Sequence, residues 1–124
     1  MKVRCDRIVD AVGRPAEESR WLTIGHEYLV LEVTADAADR VLLRLIGDDR
    51  TVPGLHEAGL FATVSSTVPS TWTAAVHDGG RLHLGPERWR SPGFWERYFD
   101  YEPEAVAVFR EELDSILSEL PVGD

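Results

Sequence analysis

Turn-forming residues interrupt the apolar runs of this chain at short intervals as far as Pro86, and after it they thin out. A stretch punctuated in this way leaves no room for long helices, so its apolar side chains must be buried by short strands. Val3 to Ile8 alternates apolar and polar residues, as a half-buried strand does. Asp10 to Ser19 carries Gly13, Pro15, Glu17 and Glu18 and reads as a polar loop. Gly25 marks a tight turn into Glu27–Val33, a run rich in β-formers. Ala35–Asp39 is a short connection, and Arg40–Ile46 is a second strand closing a hairpin. Gly47-Asp48-Asp49-Arg50 is a turn signal, and Pro53 to Gly59 reads as irregular with at most one helical turn. Leu60–Val64 is another strand, followed by a loop broken at Pro69. Trp72–His77 and Arg81–Leu84 flank Asp78-Gly79-Gly80 and form the clearest hairpin, because glycine accepts the positive φ that such turns need. Five or six short strands of this kind make a small barrel or sandwich.

Beyond Pro86 the pattern becomes helical. Ser91-Pro92 reads as an N-cap with proline at the first helical position, starting a short helix that runs to about Phe99. Glu102-Pro103-Glu104 repeats the arrangement and places acids at the positive end of a helix dipole. From there Ala105, Phe109, Leu113, Ile116, Leu117 and Leu120 fall on one side at 3.6-residue spacing, and Pro121 stops the helix. Arg110, Glu111, Asp114, Ser115 and Ser118 fall mainly on the other side. The apolar stripe is expected to lie on the β body, so residues 1–124 form a single domain, with a β body over 1–85 and a packed helical extension over 86–124.

Leu22-Thr23-Ile24-Gly25-His26-Glu27-Tyr28 resembles the opening of small bacterial SH3-like barrels, in which a leucine-threonine-x-glycine-x-x-tyrosine segment enters a strand. A second strand ending in paired aspartates, as in Ile46-Gly47-Asp48-Asp49, and a later phenylalanine strand, as in Leu60–Val64, extend the likeness over roughly residues 3–65. The resemblance implies an α+β protein: a small SH3-like antiparallel β-barrel of five or six strands, a short helix, and a longer C-terminal amphipathic helix. It implies no activity, since such barrels carry many unrelated functions. Pro92–Asp100 is similar to a stretch of small uncharacterised bacterial proteins and carries no activity over either.

Charge narrows the function classes. Thirteen basic residues against 22 acidic ones give −9, and residues 100–124 alone hold eight acids and one base. The first 99 residues, with 12 bases and 14 acids, are nearly balanced. An acidic field repels phosphate, so nucleic-acid binding is not expected, whereas a basic protein would be attracted and steered. No apolar run approaches a membrane span, the start of the chain lacks a signal-peptide core, and the expected location is the cytoplasm.

Reactive constellations are sparse. Cys5 is the single cysteine, which excludes an intrachain disulfide and a Cys-based zinc site and reads as a small core residue. A two-residue turn at Gly79-Gly80 would set His77 and His83 on opposite faces, while a three-residue loop would reverse this. His56-Glu57 belongs to no His-Glu-x-x-His motif, Asp48 and Asp49 are adjacent acids in a turn, and no phosphate or dinucleotide loop is present. The expectation is a protein that is not an enzyme and holds neither cofactor nor metal. An enzyme would require polar side chains such as His26, Asp48 and Asp49 to converge in one pocket.

The densest feature is aromatic. Trp89, Phe94, Trp95, Tyr98, Phe99 and Tyr101 supply six of the 11 aromatic residues within 13 positions. Either the short helix caps an open barrel end with Phe94, Trp95 and Phe99, or Trp89, Tyr98 and Tyr101 stay at the surface as binding anchors beside the acids Glu104, Glu111, Glu112 and Asp114. The function expected from size, acidity and missing catalytic motifs is a protein-binding module, in concrete terms an inhibitor or immunity-type protein that occludes a basic partner such as a toxin. The alternative is a small-ligand or peptide-binding regulatory barrel with a cleft near Trp21 and Trp72. Oligomeric state is left open.

Overall fold

The computed structural model describes residues 1–120 and shows a mixed α+β protein with a mostly antiparallel sheet and a long C-terminal helix. The strands are β1 (Lys2–Cys5), β2 (Ile8–Val9), β3 (Pro15–Ala16), β4 (Glu27–Ala35), β5 (Val41–Ile46), β6 (Pro53–Glu57), β7 (Phe61–Ser65), β8 (Trp72–His77) and β9 (Arg81–Pro86). The helices are α1 (Phe94–Phe99) and α2 (Pro103–Ser118), and 3-10 turns cover Ala58–Leu60 and Glu87–Arg90. The main sheet runs β6-β5-β4-β1-β7, with β9 joined to the far end of β4 and β8 joined to β9. β2 and β3 form a separate small hairpin, whose second strand lies inside the expected polar loop.

The inward face of the sheet buries Val3, Cys5, Ile8, Leu22, Tyr28, Val30, Leu43, Leu45 and Leu60 as a first core. A second core lies on the other face, where Leu31 meets Trp89, Phe94, Ala105, Phe109 and Ile116. Each large side chain buried this way contributes about 1.5–3 kcal/mol. Ala105, Phe109, Leu113 and Ile116 of α2 face the sheet as their spacing predicts, but Leu117 is 45% exposed because it lies a further 100° around the helix from Ile116. Pro121, the expected helix stop, lies outside the described residues. No helix among the described residues is long and apolar enough to cross a membrane.

Three local expectations are corrected. Pro53–Glu57 is a strand and not irregular, with Pro53 at its first residue on the sheet edge, where a missing N–H costs least. The short helix starts at Phe94 and not after Ser91, because Gly93 takes a left-handed φ of 72° and Phe94 N–H turns back to the Ser91 carbonyl at 2.9 Å. The β8–β9 loop has three residues, since His77 pairs with Arg81 and Ala75 with His83. Gly79 and Gly80 both sit at φ 83°, and the longer loop brings His77 and His83 to the same face of the sheet.

Candidate functional site

A bulge in β4 creates the most polar interior of the molecule. Val30 pairs with Leu45 and Val33 with Leu43, so four residues of β4 oppose three of β5. Val30 and Val33 pack with the first core, Leu31 enters the second, and Glu32 comes opposite Arg44. Glu32 is 1% exposed, and its two carboxylate oxygens are both engaged. Arg44 Nε donates to Oε1 at 2.5 Å, and His83 Nε2 lies 2.6 Å from Oε2. Arg44 also donates to the Pro53 carbonyl at 2.7 Å and lies over the Trp95 ring, its Cζ 3.8 Å from the centroid. Burial pulls the Arg44 guanidinium down, and the Glu32 carboxylate opposes it.

Donor and acceptor roles run in one direction through this network. Arg90 Nη1 lies 3.1 Å from His83 Nδ1, and a guanidinium can only donate. Nδ1 therefore accepts, the ring proton sits on Nε2, and His83 donates it to Glu32. Arg90 is anchored further by the Thr73 hydroxyl at 2.5 Å and the Thr73 and Gly85 carbonyls at 3.1 and 3.3 Å. Gly85 makes room for the chain of contacts: a Cβ there would lie 2.8 Å from the Glu32 Cβ and 3.0 Å from the His83 ring.

The network forms one wall of an open groove of about 210 Å³, completed by Thr34, His77, Arg81, Trp89 and Trp95. A second hollow of about 300 Å³ shares Thr34, His77, Arg81 and His83 and continues toward Arg40, Leu42 and Leu82. Both Glu32 oxygens and both His83 ring nitrogens are engaged, so the free imidazole among the described residues of the groove is the exposed His77.

A polar clasp joins the turn before β4 to the turn after β5. Thr23 Oγ1 and the Tyr28 hydroxyl donate to Asp48 at 2.6 and 2.8 Å, while Thr23 N–H donates to the Tyr28 oxygen at 2.7 Å. Gly25 turns at φ 89°, and a Cβ on Gly47 would strike the Trp21 carbonyl oxygen. Burial pushes the Asp48 carboxyl up, but the Thr23 and Tyr28 hydroxyls, with His26 beyond them, outweigh it and hold the group below its ordinary value. His26 Nδ1 stays 3.9 Å from Asp48, and Asp49 turns instead to Thr51. The three residues thus lock a turn and do not gather around a pocket.

The expected partner-facing residues separate into groups. Glu104 and Asp114 are exposed. Glu111 and Glu112 reach Arg88 at 2.8 and 3.4 Å, so part of their charge is spent within the molecule. Trp89, expected as a possible surface anchor, is 2% exposed and stacks on Phe109 at 5.3 Å, which removes it from the surface. Tyr98 is half-buried against Phe94, Trp95 and Phe109, and burial raises its hydroxyl pKa. Tyr101 is 84% exposed at φ 60° in the turn between α1 and α2, and Phe99, at the end of α1, is 45% exposed. Phe99 was not among the expected anchors. The groove residues Glu32, Arg44, His83 and Arg90 were missed as well, although opposite charges inside the apolar runs of two neighbouring strands were a usable signal.

Trp21 and Trp72 pack against the first core and not around a cleft. Cys5 is fully buried, and burial pushes its thiol pKa up, away from thiolate chemistry. Among the described residues no group of three or more His, Cys, Asp or Glu side chains is placed to hold a metal ion. No protein-family model, curated protein or solved structure matches the chain.

Proposed function

We propose that this chain is a non-enzymatic, acidic protein-binding module of the cytoplasm that seats on a basic partner and occludes it, as an inhibitor or immunity-type protein does with a toxin. Residues 1–85 are read as a small SH3-like barrel that serves as its rigid scaffold. The observation that carries the reading is the α1–α2 turn. Phe99, the last residue of α1, and Tyr101, in the turn itself, are both exposed there, and Asp100, Glu102 and Glu104 around them in the chain are exposed as well. Aromatic anchors inside an anionic rim are what a cationic protein surface needs: the rings supply desolvated contact, and the acids speed and orient the encounter. The engagement of both Glu32 oxygens and both His83 nitrogens supports a binding role over a catalytic one.

The test is capture of a basic protein from the native host on the immobilised chain. Wild type should retain a cationic protein in a salt-sensitive manner. Tyr101→Ala and the pair Glu104→Arg with Asp114→Arg should each reduce retention at least about tenfold, the loss expected when a hot-spot ring or a steering charge is removed. Retention of nothing cationic, or equal retention by all variants, would overturn the reading.

A further inference from the structure

The groove on the outer face of β9 is cationic in a chain whose overall charge is −9. Its one buried carboxylate, Glu32, is already neutralised by Arg44. Arg90 gives its bonds to uncharged acceptors only: the Thr73 hydroxyl, the Thr73 and Gly85 carbonyls and His83 Nδ1. Arg81 is exposed and has no carboxylate within ion-pair distance among the described residues. Asp36, on the far wall, is turned back to its own loop, where it caps Ala38 and Arg40 N–H groups at 2.9 and 3.1 Å. Arg40 is paired with Glu57 at 2.9 Å. Asp36 keeps its negative charge, so the groove is left with an excess of one positive charge, and the two guanidinium groups without a carboxylate partner, Arg81 and Arg90, are flanked by His77 and His83.

Unpaired arginines occur elsewhere on this surface, but these two line one concave wall, and Arg90 is pinned in place before any ligand arrives. Trp89, in the same wall and 2% exposed, also has an indole N–H with no acceptor among the described residues. Fixed donors, net positive charge and a hollow of a few hundred Å³ suit a small molecule rather than a protein surface. We infer that the groove is a binding site for a small organic anion, whose carboxylate or phosphate group is held by Arg81 and Arg90, with its apolar part toward Leu42, Leu82 and Trp95. The site stands on different residues from the α1–α2 turn and does not depend on the protein-binding reading.

The experiment is a nuclear magnetic resonance titration of the labelled full chain, at constant ionic strength, with inorganic phosphate in one arm and benzoate in the other. Constant ionic strength removes general screening. Saturable shifts at His77, His83 and the Arg81 and Arg90 side chains are expected, with half-saturation in the millimolar range or below. Saturation in one arm alone assigns the site to that anion chemistry. Arg81→Glu should weaken binding at least about tenfold while the core resonances stay in place, and Arg81→Lys should retain part of it, keeping the charge without the fork. Tyr101→Ala should bind the anion as wild type does. Shifts that stay linear in both arms, that map to other arginines, or that persist in Arg81→Glu would overturn the proposal.

Discussion

Glu32 holds its polar network together, with Arg44 on one carboxylate oxygen and His83 on the other. Removing its carboxylate leaves Arg44 buried with one neutral acceptor and His83 without its acceptor. Truncating one member of a buried ion pair costs about 3–5 kcal/mol, most of it the penalty of stranding the other charge. Urea unfolding of Glu32→Ala should show a loss of that size, and a loss under about 1 kcal/mol would mean that the pair is not buried as described. Asp48 makes a prediction of opposite character. Its folded pKa lies below the unfolded value of 3.8, so its contribution is fully present above that pH and is lost as pH falls through the lower, folded value. Asp48→Asn should therefore lower stability at neutral pH and flatten the acid limb of stability below about pH 4. An acid limb identical to wild type would contradict the clasp.

At the scale of elements, the α1–α2 turn holds a residue in an unfavourable backbone region. Tyr101 sits at φ 60°, a conformation costing a non-glycine residue roughly 1–2 kcal/mol. Nothing in the fold requires a tyrosine there, since the ring is 84% exposed. Tyr101→Gly should stabilise the chain by about 0.5–1 kcal/mol in thermal unfolding while weakening capture of a basic partner. A variant that is stabilised and binds unchanged would leave the strained tyrosine without a function. The β4 bulge works by register instead: one extra residue sends Leu31 into the second core and sets Glu32 opposite Arg44, so a single strand feeds an apolar core and a polar network.

Across the whole molecule, the readable parts were those whose signal is local. The β-former run Glu27–Val33, the Asp78-Gly79-Gly80 turn and the stripe Ala105-Phe109-Leu113-Ile116 are each read from a few neighbouring residues, and each places its element close to where it lies. The parts that escaped depend on distant residues. Pro53–Glu57 becomes a strand only because β5 offers an edge to pair with. The Glu32–His83 contact spans 51 residues of chain, and it exists only because a three-residue loop and a bulge set both side chains on one face. Trp89 and Tyr101 are 12 positions apart in one aromatic run, yet one stacks on Phe109 and the other meets solvent. Composition alone could not separate them, because the difference lies in where α2 docks.

Hydrogen exchange of this chain, free and bound to the cationic protein it captures, tests most directly whether the acidic aromatic turn is the working surface. The predicted result is slowed exchange concentrated at residues 99–104 and along the outward side of α2 near Asp114, with the β6 edge unchanged. Slowed exchange confined to β5, β6 or β9, with the turn exchanging as in the free protein, would contradict it.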